Sequence, residues 1–503
     1  MASLIDRLLE GREILQRRPW PRVVVGAHHW RFVANELAQG HLSLLGLWGE
    51  PSMVHMAIMD EDTAEIAIVS LDCPDGSYAS IGRLHPPALR LERTVHDLFG
   101  LSAQGLPDTR PWIDHNNWGV RFPLGDRINA LSKSAPYRFL PVEGEGLNQI
   151  AVGPVHAGII EPGHFRFTAS GETVVRLEQR LGYTHKGIEG LMSGADLERA
   201  VQLAGRVSGD STVAYAFAFS RAAETALELV VPDRAVFLRA LLAELERLAN
   251  HLGDIGAICN DASFTLIHAH CSVLRESVLR AALNAFGHRL MRDVITPGGV
   301  TRDLNDEGKA IIRATLDNIR LRFPVLVELY DNTTSLQDRT VDTGVLKPAL
   351  ARQYAAGGYI GRASGRSFDA RRALAYPPYD SLRFEVPVLK EGDVNARVWI
   401  RVREIEQSLS LIDQILDRLP EGPSSTPAGR WREPSEGMAI VEGFRGDVLV
   451  WLRLRDGLIE RCRLRDPSWF QWPLLEAVIE GNIVADFPLC NKSFNCSYSG
   501  HDL

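Results

Sequence analysis

The sequence predicts an α+β N-terminal domain followed by a mostly α-helical domain with small β-sheet pieces. Apolar runs of strand length occur within residues 1–132, at 22–26, 42–48 and 65–70. A polar segment that contains Gly and Pro, residues 133–147, is typical of a linker. From 148 to 503 apolar residues recur mostly at helical spacing, and we therefore place the domain boundaries at these residues.

Two helices and one long loop are predicted in the first domain. We expect an opening helix over Leu4–Leu15 and an amphipathic helix over Leu91–Phe99. Gly100 ends the second helix, because glycine adopts the left-handed conformation of a helix terminus without steric cost. Residues 106–118 are rich in Pro, Asp and Trp, show no periodicity and are predicted to be a loop.

In the second domain Phe165–Arg176 predicts a β-hairpin with its turn at Ser170–Gly171. A break rich in Pro, Ser and Gly is expected at 421–437, and the tail from 438 combines strands, such as 446–453, with a short helix. Helices are predicted at 196–229, 233–260, 265–291, 307–331 and 396–419.

Composition excludes several classes of protein. Hydrophobic residues make up 45% and charged residues 23% of the 503 residues, which is normal for a folded soluble protein. The formal net charge of −8 argues against a nucleic-acid partner. No apolar run is long enough to span a bilayer, and the N-terminus lacks the layout of a secretory signal. We therefore expect a cytoplasmic protein that reaches the membrane only through partner subunits.

Six cysteines are present, at 73, 259, 271, 462, 490 and 496, and none forms a C-x-x-C pair. In a long cytoplasmic chain this pattern favours free, buried thiols. Metal binding by Cys490 and Cys496 is the alternative, but their separation of six residues does not favour it. Generic nucleotide, phosphate, zinc and hydrolase motifs are absent from the sequence, so the residues alone lead no further than a two-domain protein that docks on a partner.

Longer segments carry a family resemblance. Residues 91–101 (LERTVHDLFGL) and 105–108 (GLPD) resemble the smaller hydrophilic subunit of proton-pumping NADH:quinone oxidoreductase, respiratory complex I. The second domain resembles the adjoining larger subunit of complex I and the large subunit of membrane-bound (group 4) nickel–iron hydrogenases, in the fused order of formate-hydrogenlyase and hydrogenase-4 large subunits. The matching segments are 153–157 (GPVHA), 184–191 (THKGIEGL), 244–252 (ELERLANHL), 297–300 (PGGV), 338–344 (DRTVDTG), 363–369 (ASGRSFD), 379–380 and 408–419.

The resemblance also implies a metal site that this sequence lacks. Hydrogenases of the family hold nickel and iron with four cysteine thiolates, which are soft, strongly donating ligands. The matching positions here are Ser208, Ser211, Ser497 and Gly500. We therefore expect no metal ligands and no nickel–iron centre, with the serines in capping or polar lining roles.

In complex I the equivalent cavity binds quinone, and the resemblance implies a histidine and a tyrosine for the head group. Ungapped counting places Ile160 and Gly209 at these two positions. His164 and Tyr215 lie nearby in sequence and are the candidates for the two roles. Quinone is accordingly one candidate acceptor.

Other candidate site residues also come from the resemblance. Glu189 matches an acid that relays protons beside the active cavity, although an ion pair with Lys186 or Arg206 is an equal alternative. We assign catalytic roles to Glu189, Arg206, Asp210 and Tyr215, and cofactor-binding roles to His156, His164 and Lys186. His156 would face the iron–sulfur cluster of a neighbouring subunit.

A further set of polar residues is predicted to share one face of a helix. Glu244 and His251 are seven residues apart, so they share one helical face with Arg247. This stripe either conducts protons or forms a satisfied structural network, and we favour the second interpretation.

Three functions follow from the resemblance. The chain is a redox subunit of a membrane-associated complex-I-like assembly, a catalytically silent scaffold of such an assembly, or a working hydrogenase subunit, which the missing thiolates disfavour. The expected partners are a small iron–sulfur subunit, which carries the cluster, and membrane-embedded antiporter-like subunits. NAD binding is implied only for the family as a whole, and no cofactor is expected on this chain. Charged residues retained around the cavity favour the first function.

Overall fold

The structure, a computed structural model, describes residues 4, 12–14, 17–126, 129–130, 136–156, 160–429, 431 and 433–503. Most of the predicted opening helix, 4–15, lies outside these residues. Within them, Arg12–Ile14 is a strand, so the helix prediction is wrong there. The backbone of these three residues pairs antiparallel with Arg22–Val24, which satisfies its polar groups in a sheet instead of a helix.

The N-terminal region contains a five-stranded sheet and two main helices. Its elements are β1 (Arg12–Ile14), β2 (Arg17–Arg18), β3 (Arg22–Val25), α1 (Ala27–Gln39), β4 (Ser43–Glu50), β5 (Met53–Met59), β6 (Ile66–Asp72), β7 (Ser77–Ala79), α2 (Leu89–Phe99), β8 (Ser102–Gln104), β9 (Val120–Arg121) and β10 (Asn129–Ala130). The strand order in the five-stranded sheet is β1-β3-β6-β5-β4, in which β3 and β6 are parallel and the other pairs are antiparallel.

The strands predicted at 22–26, 42–48 and 65–70 are confirmed as β3, β4 and β6. Helix α1 and strand β5 were not predicted. Helix α1 buries Trp30, Val33, Ala34 and Leu37, the i, i+3, i+4, i+7 pattern of one packed face. Strand β5 is buried along nearly its whole length, so it lacks the alternation that marks a half-exposed strand.

Helix α2 carries the predicted motif and ends, as predicted, at Gly100, whose φ is 75°. Its charged side chains hold the neighbouring loops. The Asp97 carboxylate accepts hydrogen bonds from the amides of Trp112, Ile113 and Asp114, at 2.7–3.2 Å. Arg93 donates to the carbonyl oxygen of Arg110 at 2.7 Å. The loop 106–118 is thereby fixed against helix α2.

The second region is dominated by helices around a long central one. Its elements are β11 (Leu147–Val152), β12 (His164–Ser170), β13 (Thr173–Arg180), α3 (Ile188–Met192), α4 (Leu197–Ala204), α5 (Thr212–Leu227), α6 (Asp233–Asp261), α7 (Thr265–Phe286), β14 (Ile295–Thr296), β15 (Gly299–Val300), α8 (Asp306–Asn332), α9 (Thr334–Thr340), α10 (Pro348–Gln353), α11 (Gly358–Ala363), α12 (Ala370–Ala373), α13 (Val394–Asp417), β16 (Ser435–Gly443), β17 (Gly446–Arg455), β18 (Leu458–Arg465), α14 (Ser468–Ile479), α15 (Phe487–Phe494) and α16 (Tyr498–Asp502).

The predicted hairpin is confirmed as β12 and β13, and the long predicted helices are confirmed as α6, α7, α8 and α13. The helix predicted over 196–229 is instead two helices, α4 and α5, separated by residues 205–211. The break is stabilised by Glu246 of α6, whose carboxylate accepts the free amides of Val213 and Ala214 at 2.7 and 3.0 Å. Strand β16 begins at Ser435, inside the predicted break at 421–437.

The two regions are closely joined. Strand β2 adds to the sheet β18-β17-β16 through parallel pairing with β16. Arg22 contacts Glu436 at 2.5 Å and Trp48 packs on Trp451 with ring centroids 5.5 Å apart. Of the predicted linker, residues 136–146 have no regular structure. No helix in the described ranges is long and apolar enough to cross a membrane.

Candidate functional site

Three of the four family ligand positions meet in a cluster of hydroxyl groups. Ser208 and Ser211 flank Asp210 in the break before α5, and Ser497 lies at the start of α16. The Ser208 hydroxyl donates to Asp210 Oδ1 at 2.8 Å, and the Oγ atoms of Ser208 and Ser497 are 3.0 Å apart. Ser497 Oγ accepts the amide of Gly500 at 2.9 Å. The serine cluster, as we call Ser208, Ser211 and Ser497, is thus closed by its own hydrogen bonds.

Arg445, in the turn between β16 and β17, fills the side of the serine cluster. Its Nη1 and Nη2 donate to the two carboxylate oxygens of Asp210 at 2.7 and 2.5 Å. Nη1 also lies 3.3 Å from Ser211 Oγ. Burial opposes ionisation of Asp210, but the guanidinium of Arg445 holds the pKa of that carboxyl below its usual range.

The fourth family position, Gly500, is in contact with Asp466. A Cβ atom at residue 500 would lie 2.4 Å from Asp466 Oδ2 and 2.8 Å from Ser497 Oγ. Asp466 is held in place by the Tyr215 hydroxyl, at 2.7 Å, and by the amide of Ser468, at 2.8 Å. Burial, and then the charge of Asp466, raise the pKa of Tyr215 well above its usual value.

All six cysteines are free and buried. Cys490 lies beside Gly344, because a Cβ at residue 344 would be 2.7 Å from its Sγ. Burial raises the pKa of the Cys490 thiol to about 12 and that of Cys496 still further. In the described part of the chain no group of three or more His, Cys, Asp or Glu side chains is placed to hold a metal ion.

A cleft of about 340 Å³ lies between the two regions, close to Glu189. Its apolar walls come from both regions, and its polar end is formed by residues of the second. The apolar lining includes Leu98, Ile113, Trp118, Val120, Leu124 and Trp469, and the polar lining includes His185, Lys186, Glu189, Arg463 and Asp502. This composition is typical of a site for a small, mostly apolar molecule with one polar end.

Glu189 is the second residue of helix α3 and is buried. Its carboxylate pairs with Arg463 of β18, Nη1 to Oε1 at 2.8 Å, rather than with Lys186 or Arg206, so both of the predicted partners are wrong. Lys186 donates through Nζ to the carbonyl oxygen of Val207 at 2.8 Å. Lys186 therefore links the polar end of the cleft to the chain segment that carries Ser208.

His501 and Asp502 lie between the cleft and Gly500. Trp112 Nε1 donates to His501 Nε2 at 3.2 Å, so the ring proton is on Nδ1, which donates to Asp502 Oδ1 at 2.8 Å. Trp469 stacks on the ring with a centroid distance of 4.0 Å. Burial lowers the pKa of His501, which is therefore a neutral, fixed imidazole.

Three predicted site residues lie elsewhere. Arg206 is exposed and pairs at 2.7 Å with Asp293, which lines a surface depression, so its placement around the cavity is wrong. His156 Nε2 lies 2.8 Å from the carbonyl oxygen of Gly163. His164 Nδ1 lies 3.2 Å from that of Gly153, and its ring packs on Phe139. Both histidines thus bind the backbone beside β12.

The prediction that Glu244, Arg247 and His251 share one face of α6 is confirmed. Arg247 Nε lies 3.4 Å from Glu244 Oε2, and Glu404 of α13 contacts both Arg247 and His251. Sequence patterns did not indicate four other polar residues around the site, Arg445, Arg463, Asp466 and His501. Each is brought in from a distant strand, turn or terminal helix, so no local spacing marks it.

Comparison with known proteins agrees with this organisation. Residues 31–133 match the family described as Respiratory-chain NADH dehydrogenase, 30 Kd subunit, and residues 261–437 match the corresponding 49 Kd subunit family. Formate hydrogenlyase subunit 5 of Escherichia coli is 31% identical over 445 residues, which cover 86% of this chain and 78% of that protein. A subunit of the NADH-quinone oxidoreductase of Syntrophobacter fumaroxidans is 31% identical over 356 residues, or 70% of this chain and 95% of that protein.

A solved structure is also similar. A chain of the membrane-bound sulfane sulfur reductase, an archaeal respiratory membrane complex, matches with a TM-score of 0.68 and 26% identity, over 72% of this chain and 100% of that chain. Fold and comparisons together define a class, the hydrophilic subunits of multisubunit respiratory and hydrogenase complexes. The chain belongs to the family shared by complex I and group 4 nickel–iron hydrogenases, with the 30 Kd and 49 Kd subunit regions fused in one polypeptide.

Proposed function

We propose that this chain is the redox subunit of a membrane-associated complex-I-like assembly that works without a nickel–iron centre. It receives electrons from an iron–sulfur cluster of a small partner subunit and passes them to an acceptor in the cleft beside Glu189, with quinone as the candidate. It attaches to the cytoplasmic face of the membrane through partner subunits. The cleft, apolar along its walls and charged at one end, is the observation that carries this proposal.

The donor set at the four family positions does not fit a nickel–iron centre. Three positions present hydroxyl oxygens, which are hard donors, and the fourth presents no side chain. A cysteine at Gly500 would place its Cβ against Asp466, and the Arg445–Asp210 pair stands beside the serines. The thiols of Cys490 and Cys496 are buried with raised pKa values, so they favour the protonated form that does not bind metal.

Glu189 and Arg463 fix the polar end of the cleft. A quinone carbonyl placed there would meet the Arg463 guanidinium and the Lys186 ammonium as hydrogen-bond donors. Glu189 lies at the same end and is the proton carrier that reduction of a quinone requires. The apolar walls would hold the ring.

Filling the cleft tests this function. Leu124→Trp, on the cleft wall, should abolish quinone- or dye-coupled electron transfer by the intact complex, while leaving its subunit composition unchanged. The matched control is Leu321→Trp, because Leu321 is 76% exposed on α8 and does not line the cleft. Equal activity in both variants would exclude the cleft as the acceptor site.

A catalytically silent scaffold is the second candidate. The closed hydrogen bonds of the serine cluster favour it, since they leave no open coordination or binding position there. The two functions differ in the intact purified complex. Electron transfer that is lost in Leu124→Trp supports the redox subunit, whereas a complex without any such activity supports the scaffold. Stoichiometric nickel in the same preparation would contradict both and indicate a hydrogenase.

A further inference from the structure

A group of charged side chains lies in the core between helices α6, α11, α12 and α13 and strand β16. We call it the buried charge cluster, and each member is at most 2% exposed. It contains four carboxylates, three guanidinium groups and one imidazole. The members are Glu244, Asp369, Glu404 and Glu442, then Arg247, Arg362 and Arg371, then His251.

Three of the carboxylates each accept two or more hydrogen bonds from side chains. Asp369 receives Nε and Nη2 of Arg371 at 3.0 and 2.7 Å. Glu404 receives Nε of Arg362 at 2.8 Å and lies 2.7 Å from His251 Nε2. Glu244 receives Nη1 of Arg371 at 2.9 Å together with hydroxyl groups from Tyr379 and Ser408, both at 2.7 Å.

Glu442 is held more weakly. Its Oε1 accepts Nη1 of Arg362 at 2.9 Å, and its Oε2 accepts only the amide of Ala370, also at 2.9 Å. The same Nη1 atom lies 3.5 Å from Asp369 Oδ2. Glu442 and Asp369 therefore lie against the same guanidinium group, and their like charges disfavour the ionisation of both.

The four carboxylates of the buried charge cluster outnumber its three guanidinium groups by one, and the charged residues around the cluster do not supply the missing positive charge. Asp447 is paired with Arg465, and Asp254 with Arg401 at 3.1 Å, so each contributes no net charge. Arg221 stacks 4.2 Å from the ring centre of Tyr376 and is partly exposed, so water screens it. The cluster is therefore one positive charge short, which a water-excluded core does not tolerate.

We propose that the buried charge cluster binds one proton at neutral pH, and that the proton sits on Glu442. This inference concerns proton binding alone and holds whichever acceptor the cleft takes. His251 is the other candidate, but its Nδ1 is buried and has no hydrogen-bond partner among the residues that the structure describes. An imidazolium would therefore leave a buried N–H unsatisfied there, which is unfavourable.

The electrostatics of the two groups agree with this assignment. Burial, and then the charge of Asp369, raise the pKa of Glu442 to about 7. Burial lowers the pKa of His251, although the neighbouring Glu404 opposes this. Of these two groups, Glu442 is thus the one that changes between its protonated and ionised forms near neutral pH.

Glu442, the proposed proton-binding residue, is close in sequence to a residue that contacts the serine cluster. Glu442 is the last but one residue of β16, and Arg445, three residues on, contacts Asp210. Arg247 of the buried charge cluster donates to the carbonyl oxygens of Glu442 and Gly443, at 2.8 and 3.0 Å. A change of charge on Glu442 therefore acts on the same turn that positions Arg445.

Infrared difference spectroscopy of the full-length chain tests the proposal. A protonated carboxyl has a carbonyl band that shifts in D₂O and disappears on ionisation, and the carboxyl bands of the wild type should include one component from Glu442 that is lost as the pH rises through about 7. Glu442→Gln should lack that band. Glu246→Gln is the matched control, because it removes a different buried carboxyl and leaves the charge of the cluster unchanged.

Asp369→Asn provides a second, independent measurement. This variant removes one negative charge, so the three guanidinium groups then balance three carboxylates. The Glu442 band should be lost at neutral pH although Glu442 is still present, an effect that a merely structural role would not produce. The proposal would be overturned if the wild type and Glu442→Gln lost the same carboxyl bands over this pH range, or if the band assigned to Glu442 stayed at neutral pH in Asp369→Asn. Should Glu442→Gln fail to fold, the Asp369→Asn spectrum decides alone.

Discussion

Arg445 and Asp210 form a two-point ion pair, with Nη1 to Oδ1 at 2.7 Å and Nη2 to Oδ2 at 2.5 Å. The pair joins the turn between β16 and β17 to the break before α5, the segment that carries Ser208 and Ser211. Arg445 also donates to the carbonyl oxygen of Asn495, two residues before Ser497, at 2.5 Å. One guanidinium thus links the two segments that carry the serine cluster.

Arg445→Ala should therefore destabilise the protein strongly. The change leaves Asp210 without its partner and should lower the free energy of unfolding by about 3 kcal/mol. Arg280→Ala is the control, because Arg280 is 74% exposed in its pair with Glu276 and should cost under about 0.5 kcal/mol. Urea denaturation of both variants measures the difference, and similar losses would show that the Arg445 pair has no special structural role.

Gly500 should not accept even a methyl group. In Gly500→Ala the new Cβ would lie 2.4 Å from Asp466 Oδ2, and relieving this contact should cost about 1–3 kcal/mol. Gly209→Ala is the matched control, since nothing lies within 4 Å of a Cβ at that position. Thermal unfolding compares them. If the two glycine variants have the same melting temperature, the fourth family position has room for a side chain and a cysteine could be restored there.

Much of the fold could be predicted from local patterns. Helices α6 and α13 and the hairpin β12–β13 were predicted because periodicity and turn residues are local signals. Strand β1 was missed because its partner, β3, decides its conformation. The break at 205–211 was missed because Glu246, from another helix, replaces the missing helical hydrogen bonds. Tertiary contacts decided both cases.

The residues of the candidate site could likewise be predicted only in part from the sequence. The four family positions were found from motifs, and the structure brings Ser208 and Ser497 within hydrogen-bond distance. Arg445 and Arg463 were not found, because each contacts the site from a strand or turn more than 200 residues away from its partner in sequence. Arg206 was placed wrongly, since adjacency to Ser208 in sequence does not fix the direction of its side chain.

Glu246→Gln should flatten the dependence of stability on pH. Burial raises the pKa of Glu246 to about 8, above its value of about 4.5 in the unfolded chain. The folded state then binds more protons than the unfolded state between these values, so this group's contribution falls as the pH rises from about 4.5 to about 8. The melting temperature of wild type should drop more between about pH 5 and about pH 8 than that of the variant. Parallel curves would mean that Glu246 is ionised throughout.

Glu189→Gln should slow electron transfer without disturbing assembly. The amide keeps the size of the carboxylate and a hydrogen bond with Arg463, but it cannot carry a proton. Loss of a proton relay typically lowers a rate by about 10²-fold or more, so the quinone- or dye-coupled rate of the intact complex should fall by that order. Glu436→Gln is the control, because Glu436 forms a similarly buried pair with Arg22 away from the cleft and should leave the rate unchanged. A normal rate in a fully assembled Glu189→Gln complex would rule out the relay and leave Glu189 as a structural partner of Arg463.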